Sequence, residues 1–134
     1  MPALKTPDAI FDGIALVLDD QFLIALGLSN QLETLGFQSV DVFANCADAL
    51  ARLDATDKPP LRIALLDVKL GGGETSQPVA RRLSELGIPF IFVTGYGAGH
   101  DLQEAFPEAG AVIKPVTRDD LSSQIAEQLA RVAP

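Results

Sequence analysis

The chain has no tryptophan and only one cysteine, one histidine and one tyrosine among 134 residues. A single cysteine, Cys46, excludes an intramolecular disulfide and leaves no pair for a zinc knuckle, so a reducing cytoplasm is the expected compartment. Basic residues are scarce as well: ten Lys and Arg against eighteen Asp and Glu give a formal charge of −8. Neutralising nucleic-acid phosphates takes clustered Lys and Arg, and this balance argues against such a surface. Long apolar runs are also missing. The longest near the start, residues 22–28, falls far short of the roughly 20 residues that cross a membrane. Residues 1–12 lack the apolar centre of a signal peptide. Together these absences predict a protein retained inside the cell, with neither nucleic acid nor membrane as a partner.

What is present is enough apolar material, 48% of residues, for one core, and no room for a separate output domain. Residues 1–12 read as a flexible lead-in and 13–134 as the folded domain. From Gly13 onward, short apolar segments alternate with amphipathic ones, which predicts a parallel sheet with helical crossovers. Residues 13–18, 37–43, 61–66, 89–93 and 111–113 are the expected strands. A first helix over 20–35 has Phe22, Leu23, Leu26, Leu32 and Leu35 at helical spacings and stops at Gly36. Asn45, with Asp48 three positions on, caps a second helix through residue 55. Pro78 starts a third, with Val79, Leu83 and Leu86 inward, and Gly87 ends it. Only residues 101–106 remain for a fourth, so it must be short or irregular. Thr117 caps the last, whose expected buried face is Leu121, Ile125, Leu129 and Val132. The natural assembly is a doubly wound five-stranded parallel sheet of order 2-1-3-4-5.

Four signals follow four of these strands: Asp19-Asp20, Asp67, Thr94 and Lys114-Pro115. In open α/β sheets ligands gather beyond the carboxyl ends of the strands, so these polar groups should meet at one edge. Three carboxylates in contact repel by about 1–4 kcal/mol per pair, and folding would not select that for stability. A divalent cation reverses the sign, and Mg²⁺ favours a few carboxylates together with water and phosphate oxygens. Asp67 is then a candidate nucleophile forming an acyl phosphate. Thr94 can donate a hydroxyl hydrogen bond to a phosphoryl oxygen, and Lys114 can bring a positive charge to another.

These residues resemble the receiver domain of bacterial two-component response regulators, over residues 13–132. The acid pair, the Asp of Leu65-Leu66-Asp67, the hydroxyl residue and the Lys-Pro stand in the receiver's order, each after the expected strand. Residues 89–97, with Phe92-Val93-Thr94-Gly95, and residues 66–74 further resemble the FAT GUY group of single-domain receivers. The resemblance implies a flavodoxin-like, CheY-like fold. It also implies that Asp19, Asp20, Asp67 and the main-chain carbonyl of Lys69 bind Mg²⁺, and that Val68 and Gly95 offer backbone amides to the phosphoryl group. Asp67 would take phosphate from a histidine kinase or a histidine phosphotransfer protein and signal to a downstream protein target, in bacterial stress or environmental signalling. The activity implied is self-phosphorylation and self-dephosphorylation at most, with no other enzyme activity. Two departures stand out. The usual receiver proline shortly after the phosphorylated Asp is absent, and Ala111 occupies the place of the aromatic switch residue. Tyr96 is the expected substitute.

Three other readings share parts of this pattern. A phosphate sink drains a kinase without switching a target. A haloacid-dehalogenase-like phosphatase combines similar residues, but its early acids resemble Asp-x-Asp, whereas Asp19 and Asp20 are adjacent. A phosphate-independent module would keep the fold with an idle site. Gly71-Gly72-Gly73 lacks the Gly-Lys-Ser/Thr of a P-loop, and Gly95, Gly97 and Gly99 do not match the dinucleotide fingerprint. His100 is read as a loop residue. Phe22, Leu23 and Ile24 spread apolar surface wider than one helix face needs; burial under neighbouring helices is the expectation, docking of a kinase the alternative.

Overall fold

A computed structural model describes residues 11–95 and 100–132. The elements run β1 (Ile14–Leu18), α1 (Phe22–Leu35), β2 (Ser39–Phe43), α2 (Cys46–Asp54), β3 (Ile63–Asp67), α3 (Gln77–Leu86), β4 (Phe90–Thr94), α4 (His100–Ala105), β5 (Gly110–Ile113) and α5 (Arg118–Val132). All strand pairs are parallel, and the order is β2-β1-β3-β4-β5, as the alternation predicts. A strand's side chains alternate faces, so a sheet covered on both sides turns each apolar run into two half-cores. Ala15, Val17, Ile63, Leu65, Ile91 and Val93 face α1 and α5, where Leu28, Leu32, Leu121 and Ile125 meet them. Leu16, Leu18, Ala64, Leu66, Phe90 and Phe92 face α2, α3 and α4. Phe90, Phe92 and Phe106 form an aromatic knot there, with ring centroids 5.6–6.2 Å apart. Each such fully buried side chain contributes about 1.5–3 kcal/mol.

Local signals placed the helix ends well. The Asn45 side chain accepts a hydrogen bond from the Asp48 amide at 2.8 Å, and Thr117 Oγ1 accepts one from the Asp120 amide at 3.1 Å. Gly87 closes α3 in the left-handed conformation. The third helix starts one residue before Pro78, which occupies its first turn.

Three expected helix faces are corrected. In α1 the buried residues are Ala25, Leu28 and Leu32, whereas Phe22, Leu23 and Leu26 are 75%, 77% and 45% exposed. Leu86 and Val132 also lie outside, at the last residues of their helices, where no further turn covers them. Phe11, counted in the lead-in, is buried against Phe37, and a Cβ at Gly36 would run into the Phe11 carbonyl. The core thus begins before β1.

Register puts the polar residues at one edge. Leu18 pairs with Leu66, so Asp19 and Asp67 stand side by side one step further on. Thr94 pairs with Ile113, which places Lys114 just past β5.

Candidate functional site

Asp19, Asp20 and Asp67 come together as the register demands, each offering a carboxylate oxygen within 4.8 Å of the others. Adjacent strands lie about 4.8 Å apart, so consecutive strand ends deliver carboxylates to one small volume. The Asp19 side chain is fully buried and that of Asp67 nearly so, at 9% exposed, while Asp20 is exposed. Lys114 reaches back from the end of β5 to stand 3.3 Å from Asp67 Oδ1 and 3.7 Å from Asp19 Oδ2. The Lys114–Pro115 peptide bond is cis. One ammonium faces three carboxylates. Burial above all, and next the Asp19 carboxylate, push the Asp67 carboxyl up to about 6; Lys114 pulls the other way and Asp20 adds to the rise.

Asp19 Oδ1 accepts the Gln21 amide hydrogen bond at 2.9 Å, but Oδ2 is buried with no hydrogen-bond partner among the described residues. A buried carboxylate oxygen left this way is costly unless a cation satisfies it. The donor set is all oxygen and excludes the sulfur and imidazole ligands that select zinc. Asp19, Asp20 and Asp67 therefore fit Mg²⁺. Asp20, Asp67, Val68, Lys69, Gly71, Gly95 and Lys114 share the lining of a cleft of about 310 Å³, through which Asp67 meets solvent.

The other expected phosphate ligands are differently placed. Thr94 is buried at the end of β4, and its hydroxyl donates to the Gly95 carbonyl at 2.6 Å. The Val68 amide donates to the Val93 carbonyl at 3.4 Å, a long bond. Lys69 bridges to Thr75 across the β3–α3 loop. Gly95 lies half-buried beyond β4. Tyr96, the expected switch aromatic, lies outside the described residues. Ala111 is half-buried on β5, and its amide donates to Gln124 Oε1 at 3.3 Å.

The response regulator receiver domain model matches residues 15–126. The chain belongs to that family. Members act in two-component signalling, bind Mg²⁺ at an acidic pocket and interact with histidine kinases or phosphotransfer proteins, and the match assigns this receiver to them rather than to the haloacid-dehalogenase phosphatases. Among solved structures, SdrG from Sphingomonas melonis Fr1 is 35% identical with a TM-score of 0.75, over 89% of this chain and 98% of that one. The signal receiver domain of a modulated diguanylate cyclase from Desulfovibrio desulfuricans G20 is 31% identical with a TM-score of 0.74, over 89% and 94%. A response regulator receiver protein from Sinorhizobium medicae WSM419 shares the fold at 20% identity and a TM-score of 0.79, over 91% and 98%. No curated protein matches the chain. Among the described residues, no helix is long and apolar enough to cross a membrane.

Sequence reasoning favoured burial of Phe22 and Leu23 over the exposed alternative, and missed two features of this receiver's surroundings, an ion pair at Asp41 and a contact at Gly71. Phe22 and Leu23 stand outside, and a separate groove of about 400 Å³ is lined by Ile24, Leu28, Gln31, Pro115 and Val116. The width of the apolar surface had raised that alternative: adjacent residues on a helix point about 100° apart, so two large apolar neighbours cannot both face a narrow contact. Asp41 and the buried Arg52 form an ion pair of 2.7 Å that pins α2 to β2. Asp20 also packs over the loop after β3, at Gly71. The lone Cys46 is buried and donates to the Thr75 carbonyl; burial and Glu74 push its thiol up to about 11, which makes it a structural residue.

Proposed function

We propose that this chain is a cytoplasmic receiver that works without an attached output module, takes a phosphoryl group on Asp67, and signals through contact with other proteins. The observation that carries the reading is the Lys114 ammonium, 3.3 Å from Asp67 Oδ1, inside a cluster of three carboxylates. The resemblance of residues 89–97 to single-domain receivers supports the absence of an output module. In the transfer, an Asp67 oxygen attacks phosphorus, the phosphorus–nitrogen bond to the donor histidine breaks, and the electron pair leaves on the imidazole nitrogen. Asp19, Asp20, Asp67 and the Lys69 carbonyl would hold Mg²⁺. When bound, the ion supplies positive charge that offsets the negative charge on the transferring oxygens. Lys114 neutralises one phosphoryl oxygen, and the amides of Gly95 and of Val68, the latter now on the Val93 carbonyl, would turn to others. Phosphotransfer and its reversal by hydrolysis are the only chemistry we assign.

Thr94 is the switch. The acyl phosphate carries about −1.5 to −2 charges in place of the carboxylate's single charge, and the Thr94 hydroxyl gives up the Gly95 carbonyl to donate to it. That exchange repositions Gly95 and, through it, Tyr96. A nearly complete two-state flip needs about 5.5 kcal/mol of differential stabilisation, which a few charge-assisted hydrogen bonds can reach.

The exposed Phe22, Leu23 and Leu26 lie on α1, which begins just after the acid pair. A protein donor must cover this side to bring its histidine to Asp67, so we assign the patch to the kinase or phosphotransfer partner. Phe22→Ala with Leu23→Ala should slow phosphorylation by a protein donor that serves the wild type, and leave labelling by acetyl phosphate unchanged. Equal slowing with both donors would count against the assignment.

The function itself is tested by incubating the protein with Mg²⁺ and acetyl phosphate and following intact mass. One phosphoryl group added to the wild type and none to Asp67→Ala is the expected result. Labelling of the variant at wild-type level would end the reading.

A further inference from the structure

Gly71 begins the three-glycine turn after β3, at the mouth of the acidic cleft. Gly72 and Gly73 take positive φ, which explains glycine at both. Gly71 does not, so its backbone would accept any residue. What glycine leaves there is space. A Cβ at position 71 would stand 3.1 Å from Asp20 Oδ2, and among the described residues no other atom outside its chain neighbours lies within 4 Å of it. That approach is tighter than ordinary packing, and its only partner among the described residues is the tip of an exposed, rotatable carboxylate.

We infer that Gly71 is a positioning residue for the cation site: its missing side chain is the clearance in which the Asp20 carboxylate lies, facing Asp19 and Asp67. This rests on the Mg²⁺ reading above. The consequence of filling the space falls on the ion, not on the fold. Asp20 can turn into solvent at small cost when Ala takes position 71, but in doing so it leaves the volume shared with the other two carboxylates. Mg²⁺ demands near-ideal placement of its oxygens and does not follow a displaced ligand. Gly72, by contrast, has no atom of the described residues within 4 Å of such a Cβ, and it has a conformational reason for being glycine.

The test is a titration with Mg²⁺ alone, read from the backbone amide shifts of Asp67 and Lys69. Gly71→Ala should raise Kd about tenfold, the low end of what disturbing the support of a metal ligand costs. Its melting temperature without Mg²⁺ should match the wild type. In metal-free protein the carboxyl carbon of Asp20 should shift in Gly71→Ala. In an Asp20→Ala background, where Asp19 and Asp67 still offer two carboxylates, Gly71→Ala should change Kd by less than about twofold. An unchanged Kd, an unmoved Asp20 carboxyl signal, or an equal loss in the Asp20→Ala background would each overturn the inference. Failure of the wild type itself to bind Mg²⁺ at these amides would instead overturn the cation site on which it depends.

Discussion

Two sets of groups in the cleft differ in readiness. At the ends of β1, β3 and β5, the Lys114 ammonium already stands 3.3 Å from Asp67 and 3.7 Å from Asp19. At the end of β4, which lies between β3 and β5, the Thr94 hydroxyl donates to its own neighbour, the Gly95 carbonyl, and the Val68 amide at the end of β3 donates across to the Val93 carbonyl. The first arrangement is fixed by strand register and burial. The second includes a hydroxyl bond to an adjacent residue and a long backbone bond, which a phosphoryl oxygen can outcompete. On the function proposed above, catalytic positioning falls to the first set and switching to the second.

Substitutions in the two sets should separate these roles. Asp67→Ala should lose all labelling by acetyl phosphate, measured by intact mass, because the acceptor oxygen is gone. Lys114→Ala leaves Asp19 and Asp67 facing each other without the ammonium. Its stability at pH 7 without Mg²⁺ should fall by about 2–3 kcal/mol in urea unfolding, the worth of charged hydrogen bonds lost from a buried site. A smaller effect comes from relieving the repulsion instead. Because burial and Asp19 hold the folded Asp67 carboxyl near 6, the unfolded chain releases that proton first as pH rises from about 4. The folded state then binds more protons, so this group's contribution to stability falls between about pH 4 and pH 6 and stays lower above. Asp67→Asn should therefore be more stable than the wild type at pH 7 by on the order of 2 kcal/mol, with the gap closing below pH 4 and narrowing when Mg²⁺ is added. Thr94→Ala should cost about 1 kcal/mol or less and leave labelling within about threefold, yet remove the phosphate-dependent shift of the Gly95 amide. Thr94→Ala labelling as poorly as Asp67→Ala would erase the distinction between the two sets.

The sheet order and the meeting of Asp19, Asp20, Asp67 and Lys114 were legible because they depend on strand ends, and strand ends are written as polar residues after apolar runs. Asn45 and Thr117 were legible because a cap is local. What escaped depends on phase and on the absence of side chains. Helical spacing linked Phe22, Leu26 and Leu32 on paper, but the sheet is met by Ala25, Leu28 and Leu32, and a small alanine leaves a weak mark in the pattern. Phe11 is one apolar residue among polar ones and gives no period at all, although it seats against Phe37. Gly71 read as one more turn glycine, since the carboxylate that uses its space is 51 positions away in the sequence (71 − 20). The present partner of Thr94 was equally invisible, because a hydroxyl's choice between a neighbouring carbonyl and a distant oxygen is a matter of fractions of an ångström.

The division of labour is tested most directly by a crystal structure of the protein with Mg²⁺ and beryllofluoride, a phosphoryl mimic. The account predicts that Lys114 keeps its contact with Asp67 and Asp19 keeps its position, while Thr94 Oγ1 leaves the Gly95 carbonyl and donates to a fluorine on Asp67. A structure in which Thr94 remains on Gly95 while the acids and Lys114 rearrange around the mimic would contradict it.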